Sequence, residues 1–251
     1  MSNVIAIAGK GGTGKTTTTA LLIRSLLKRK MTPILAIDAD PNANLAESIG
    51  INVTSSIGSV LSDFLRERAN VPPGMSKQAF LEVKLHQILK EGAGIDMMVM
   101  GTPEGPGCYC AANAMLKDYF DDLQANYKQV VVDNEAGMEH FSRKTTAQID
   151  LLLFCSHYSL KGLTTVKKLS EMVDDLKISV KKRYLLVNRT PQELDKEFLD
   201  AIEKTGIPFL GHMPDDKELE EAELRGTPLT ELPDSSRVVT RFNSLVETIV
   251  G

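Results

Sequence analysis

Cysteine is scarce, with three in 251 residues. In an intracellular chain that number offers no disulfide framework, and two that stand close together point to metal or redox chemistry. Positive charge is not in excess either. The net charge is −4 and the isoelectric point about 5.7, which removes the global basic footprint of a nucleic-acid binder. No uninterrupted apolar run is long enough to span a bilayer. The opening Met1-Ser2-Asn3 enters apolar sequence without the charged region and apolar stretch of a secretory leader. The expectation is a cytoplasmic chain with no nucleic-acid partner and no membrane partner. Internal repeats, low-complexity tracts and shifts in composition are all missing, so residues 1–251 read as one domain. Hydrophobic residues make up 42% of the chain, enough for a large core.

What is present is an alternation of short apolar runs and longer helical patterns. Strands are expected near Val4–Ala8, Pro33–Asp38, Asp96–Gly101, Gln129–Asp133, Leu151–Cys155, Tyr184–Asn188 and Pro208–His212. Helices are expected near Lys15–Arg29, Lys77–Lys90, Ala111–Asn126, Leu163–Leu176 and Gln192–Lys204. Continuous apolar strands separated by helices indicate an α/β fold, a doubly wound and mainly parallel sheet covered on both faces. Ligand chemistry then belongs at the carboxyl ends of the strands. Pro72-Pro73, within Asn70–Gly74, marks a surface loop. In Ser235–Val250 the residues Val238, Val239, Phe242, Leu245, Val246 and Ile249 recur at helical spacing. The polar side of that stretch carries little charge besides Arg237 and Arg241, which suits a core-packing helix better than a lipid-surface one.

One stretch carries the chemistry. Gly9-Lys10-Gly11-Gly12-Thr13-Gly14-Lys15-Thr16 fits the phosphate-loop pattern G-x-x-x-x-G-K-[ST], between an apolar run and the helical segment that begins Thr17-Thr18-Thr19. Such glycines let backbone N–H groups turn toward phosphate oxygens. Lys15 is placed to neutralise the β- and γ-phosphates, the Thr16 hydroxyl to ligate Mg²⁺, and the helix N-terminus adds partial positive charge. Lys10 is an extra lysine near the start of the loop, where the chain runs past its own phosphates. It is placed to reach nucleotide held by a second subunit.

The run G-K-G-G-T-G-K-T resembles the deviant Walker A ATPases, the group of MinD, ParA, Mrp and the nitrogenase iron protein. That resemblance implies a nucleotide-sandwich dimer in which Lys10 crosses to the partner. Asp38-Ala39-Asp40-Pro41 places two carboxylates at i and i+2 of an emerging strand, pointing the same way, toward the phosphates. One suits the hydrated metal and the other an in-line water. The segment looks like the family's D-x-D-P switch, which implies that Asp40 positions the water while Asp38 supports the metal and Lys15. Val130-Val131-Val132-Asp133 has the form of a Walker B strand, placing Asp133 in the outer shell of Mg²⁺. Asn134-Glu135-Ala136-Gly137 follows as a phosphate-sensing switch. Asn188, followed by Arg189, resembles the family's adenine-reading asparagine, since an amide both donates and accepts. Met213-Pro214-Asp215-Asp216 resembles the loop that closes over the base. The expected cofactors are ATP and Mg²⁺.

Gly105-Pro106-Gly107-Cys108-Tyr109-Cys110-Ala111 is the second informative stretch. It follows an apolar strand, at the ligand end of the sheet. Two thiolates do not complete a tetrahedral site. The third cysteine, Cys155, sits in an apolar strand and reads as a buried small side chain. A two-fold dimer supplies four thiolates from two such pairs. A local redox pair, an unreactive structural pair and an iron–sulfur cluster are the alternatives. The nitrogenase iron protein takes its second cluster ligand from the segment after the Walker B aspartate, and Asp133-Asn134-Glu135-Ala136-Gly137-Met138-Glu139-His140-Phe141 has no cysteine.

Taken together, the lysine-rich loop, Gly107-Cys108-Tyr109-Cys110 and Asp133 through His140 resemble the CooC type of carbon monoxide dehydrogenase accessory ATPase along essentially the whole chain. That resemblance implies a homodimer that binds Ni²⁺ or Zn²⁺ through Cys108 and Cys110. It implies ATP-driven nickel insertion into a client carbon monoxide dehydrogenase or acetyl-CoA synthase. Thiolates accept either metal, nickel favouring square-planar and zinc tetrahedral geometry. Glu139 and His140 could approach the metal or sense the nucleotide, with a structural or surface role as the alternative for a lone histidine. A positioning ATPase of the ParA/MinD kind and an iron–sulfur carrier are the competing readings.

Overall fold

The structure, a computed structural model, describes residues 2–40, 42–67, 71–102, 110–135 and 148–250, with residues 110–113 and 250 described by their backbone alone. Five apolar runs form the centre of a sheet: β1 (Asn3–Gly9), β2 (Ile34–Asp38), β4 (Ile95–Val99), β5 (Gln129–Asp133) and β6 (Ile149–His157). Two more, β7 (Val180–Thr190) and β8 (Phe209–Pro214), extend one side, and the two-residue β3 (Lys90–Glu91) ends the other. The order is β3-β4-β2-β5-β1-β6-β7-β8. Every pairing is parallel except β3 with β4.

Both faces of these strands are apolar, which is why the runs are continuous rather than alternating. In β1, Val4, Ala6 and Ala8 pack into one core, while Ile5 and Ile7 pack into the other. The first core is covered by α3 (Ile57–Glu67), α4 (Lys77–Ile88), α5 (Cys110–Gln124), α6 (Leu160–Asp175) and α7 (Lys196–Glu203). The second is covered by α1 (Lys15–Lys28), the short α2 (Leu45–Ser48), α8 (Lys217–Arg225) and α9 (Arg237–Val250).

Four helix starts are set by side chains that accept otherwise orphaned N–H groups. Ser76 caps α4, Ser159 caps α6, Asp195 caps α7 and Asp216 caps α8. Asp195 explains why α7 starts at Lys196 and not at Gln192, where the sequence pattern places it.

Three helices were not expected from the sequence. In α3 the residues Ile57, Val60, Leu61 and Phe64 are buried at the i, i+3, i+4, i+7 spacing, so its signal was present. In α8 only Ala222 is buried, so its identity rests on its Asp216 and Gly226 caps. The four residues of α2 are too few for a periodic signal.

In α9, Val238, Val239, Phe242, Leu245 and Val246 are buried in the second core. The helix is therefore a wall of the fold, as its sequence pattern predicts. Buried Arg24 of α1 ties down the segment before it, donating to the Leu232 carbonyl at 2.6 Å and to Asp234. No helix among the described residues is long and apolar enough to cross a membrane.

Candidate functional site

The parallel register brings the chemistry to one edge. Val99 of β4 lies beside Asp38 of β2, Asp38 beside Asp133 of β5, and Asp133 beside Ile7 of β1. The phosphate loop leaves β1 at that edge and enters α1. Four of the helices start from a side-chain cap, whereas α1 has Gly14 at its cap position, at φ 79°, and no capping side chain. Its first N–H groups are thus left for a ligand. A Cβ at residue 14 would lie 2.9 Å from Asn188 Nδ2, so the left-handed backbone and the close approach both require glycine. Within the loop, the Thr13 hydroxyl donates to the Lys10 carbonyl at 2.7 Å.

Thr16 and Asp133 are in direct contact. The Thr16 hydroxyl donates to Asp133 Oδ2 at 2.6 Å, and the Thr19 hydroxyl donates to Asp133 Oδ1 at 3.2 Å. Thr19 escaped the sequence reading, although its spacing of one helical turn from Thr16 puts both on one face. Burial pushes the Asp133 carboxyl up to about 7, against the pull of Thr16, Lys15 and Thr19, and the Asp38 charge adds to the rise. Asp38 is fully buried too, and burial raises it to about 6.

The two aspartates of the switch are near enough for the Asp40 charge to raise Asp38, and only Asp38 belongs to the strand. Strand β2 stops at Asp38, and Asp40 stands in a bend, partly exposed. The Asp38 carboxylate accepts from the Asp40 N–H at 3.0 Å and the Leu45 N–H at 2.9 Å. It holds the shape of the loop from which Asp40 projects. The reason is local: with the ladder ended, loop N–H groups lose their strand partners, and a buried carboxylate beside them needs donors. Asp40 Oδ1 in turn accepts from the Asn42 N–H and side-chain amide.

A divalent cation fits this edge. Two neighbouring buried carboxylates are both pushed toward protonation in its absence, and a loop hydroxyl already touches one of them. Thr16, Asp133 and Asp38 are the residues that would hold Mg²⁺, directly or through water.

Asn188 is drawn to the loop rather than to open space. Its amide nitrogen donates to the Thr13 carbonyl at 2.9 Å and to the Thr18 hydroxyl at 3.2 Å. Both amide hydrogens are thereby used, so the carbonyl oxygen is the group available to a base, as an acceptor only. Arg189, Pro214 and Asp215 stand with Asn188, Gly14 and Thr17 around a small cavity of about 50 Å³. Beside it opens a cleft of about 520 Å³ that shares Met213, Pro214, Asp215 and Asp216 and adds Arg237 and Arg241. Its size suits a small-molecule ligand. Glu223 of α8, absent from the sequence reading, accepts from the Thr17 hydroxyl at 2.7 Å.

Cys155 is fully buried in β6, its thiol pushed up to about 12 by burial. Cys108 lies outside the described residues, as do Ala136, Gly137, Met138, Glu139, His140 and Pro41; Cys110 opens α5, described by its backbone alone. Among the described residues no three His, Cys, Asp or Glu side chains gather as a metal site.

Residues 4–229 match the sequence profile described as the CobQ/CobB/MinD/ParA nucleotide binding domain. The chain is 38% identical to an uncharacterized ATP-binding protein of Methanocaldococcus jannaschii, over 99% of this chain and 98% of that one. It is 30% identical to the carbon monoxide dehydrogenase accessory protein CooC of Rhodospirillum rubrum, over 93% and 91% of the two chains. Among solved structures, the cell division ATPase MinD of Pyrococcus furiosus superposes with a TM-score of 0.72 at 21% identity, covering 100% of this chain and 99% of that one.

Proposed function

The chain belongs to the CobQ/CobB/MinD/ParA family of nucleotide-binding domains and is a P-loop ATPase; on that premise we propose that it is a nickel-insertion ATPase. In this reading two copies bind Ni²⁺, or Zn²⁺, through Cys108 and Cys110. ATP turnover then assists nickel insertion into a carbon monoxide dehydrogenase or acetyl-CoA synthase. One conjunction supports it: near-full-length similarity to the Rhodospirillum rubrum accessory protein, in a chain that carries the pair Cys108 and Cys110.

The described residues suit the ATPase half of that cycle. The uncapped start of α1 and Lys15 receive the phosphates. Mg²⁺, when bound, would neutralise developing charge on the phosphate oxygens. Asp40, at the rim and partly exposed, aligns the attacking water. Because Asp38 binds the Asp40 and Leu45 N–H groups, any change at the metal side of Asp38 reaches the Asp40 loop directly. Lys10 engages nucleotide on the second copy. Closure sets the separation of the two cysteine pairs, so nucleotide and metal affinities change one another equally.

The test is anaerobic nickel binding to reduced protein, with stoichiometry and oligomeric mass read together, with and without ATP. The expected result is one nickel per dimer, lost on replacing Cys108 and Cys110 by Ser while ATP binding is kept. Undiminished nickel binding by that double variant would overturn the assignment. The second reading is a positioning ATPase, supported by the MinD and ParA members of the matched family. Co-sedimentation with anionic vesicles or with DNA would favour it.

A further inference from the structure

A second cleft lies on the far side of the phosphate loop from Asn188. Strands β1 and β6 pair so that Gly9 stands beside Cys155, which brings the end of β6 and the start of α6 against Lys10. The cleft has a volume of about 90 Å³ and is lined by Lys10, Thr13, His157, Ser159, Lys161 and Thr165, among others. It is a built feature. A Cβ at Gly162 would lie 2.5 Å from Ser156 Oγ and 3.1 Å from the His157 carbonyl, so only glycine lets the first turn of α6 sit this close to β6. Ser159 Oγ accepts from the Gly162 N–H at 3.0 Å, which sets the start of the helix.

The charge is one-sided. Two lysines and a histidine line the cleft, and among the described residues no aspartate or glutamate does. Lys10, His157 and Lys161 make no ion pair among the described residues. The Lys10 carbonyl is held by Thr13, which keeps the residue in the loop's turn at the cleft while Lys15, further along the loop, is buried. Two lysines, a histidine and the Ser159 hydroxyl around a small cavity match a tetrahedral oxyanion, while the Thr13 and Thr165 hydroxyls already donate to the Lys10 and Lys161 carbonyls.

We propose that Lys161 and His157 join Lys10 in a phosphoryl-binding subsite separate from the cradle the loop offers its own nucleotide. Its occupant is either the terminal phosphate of a nucleotide carried by a second copy or inorganic phosphate. The inference rests on the nucleotide-driven reading above. Lys161 then contributes to the subsite alongside Lys10, and the Lys161 ammonium and His157 imidazole donate to phosphate oxygens.

The test uses the full chain and the variants Lys161→Ala and Lys161→Arg, with thermal midpoints showing that both fold. Two titrations are run: inorganic phosphate onto nucleotide-free protein, followed by calorimetry, and MgATP-linked dimerisation, followed by sedimentation. The expected result is a loss of about tenfold or more in one titration for Lys161→Ala, with recovery in Lys161→Arg. A loss in the phosphate titration identifies free phosphate as the occupant; a loss confined to dimerisation identifies the second copy's nucleotide. Lys161→Ala matching wild type in both overturns the proposal. Wild-type protein that binds no MgATP overturns the underlying reading instead, and the phosphate titration then judges the cleft alone.

Discussion

Asp38 and Asp133 stand opposite one another in the parallel register of β2 and β5, and neither side chain meets solvent. Burial raises each carboxyl from its ordinary value, to about 6 and about 7, and neighbouring charge adds to it, that of Asp40 at Asp38 and that of Asp38 at Asp133. The fold has thus placed an electrostatic strain where a divalent cation relieves it.

That strain has a pH signature. With both folded values above the unfolded ones, the native state holds protons that the unfolded chain releases between about pH 4 and about pH 7. The pair's contribution to stability therefore falls as pH rises through that window. In nucleotide-free protein stripped of divalent ions, Asp133→Asn is expected to flatten the decline and to raise the thermal midpoint relative to wild type at about pH 8. Calorimetry at about pH 5 and about pH 8 reads the difference. Parallel curves for the two proteins would show that the buried charge is compensated.

Asp40 has a different task from Asp38. It is partly exposed, and among the described residues its side chain accepts only from Asn42. Asp40→Ala is expected to lower the ATP hydrolysis rate by about a hundredfold while leaving MgATP affinity within a few-fold of wild type. Asp38→Ala removes the acceptor for two loop N–H groups and is expected to lower both rate and thermal midpoint. Hydrolysis measured beside equilibrium binding separates the two roles; equal losses of binding in both variants would count against the assignment.

Asn188 couples the base side of the site to the loop. Asn188→Ala deprives the Thr13 carbonyl and Thr18 hydroxyl of a buried donor, at a cost of about 1–3 kcal/mol. The same change removes the carbonyl that would accept from the adenine amino group, so preference for ATP over GTP is expected to fall. Urea denaturation and nucleotide competition check the two effects. An unchanged preference would place base reading elsewhere in the adjoining cleft.

Arg24 anchors the chain that leads into α9. Its guanidinium is buried and serves the Leu232 carbonyl, whereas Lys28 meets the same Asp234 at the surface. Arg24→Ala is expected to cost about 2–3 kcal/mol, because a buried carbonyl loses a charged donor. Lys28→Ala is expected to cost under about 0.5 kcal/mol. Equilibrium unfolding of the two variants gives the comparison, and similar values would mean that the carbonyl finds water.

Much of the fold was legible because a parallel sheet buried on both faces requires continuous apolar strands, and Ile5–Ile7, Ile34–Ile37, Val130–Val132 and Leu151–Phe154 supply them. Among the ranges that the sequence reading missed, α3 carried its own periodic signal, whereas α8 and β3 draw their stability from elsewhere. Only Ala222 is buried in α8, and β3 is two residues held by pairing with β4. Candidate phosphate and metal groups were legible as residue types at fixed spacing, since Lys15, Thr16 and Asp133 each belong to a local pattern.

By itself the sequence determined the strand–loop–helix unit at Gly9–Thr16, the helical face of α9 and the acidic ends of β2 and β5. All of these depend on neighbours close along the chain. Only the tertiary structure decided that Asp38 turns inward to hold a loop, that Thr19 shares Asp133 with Thr16, and that Asn188 gives its donors to Thr13 and Thr18. It alone set Glu223 on Thr17 and Lys161 beside Lys10. The physical reason is that hydrogen bonds and charges act through space at a few ångströms. Apart from Asp38, whose partners lie close along the chain, these partners are far apart in sequence and meet only after strand order and register have been set.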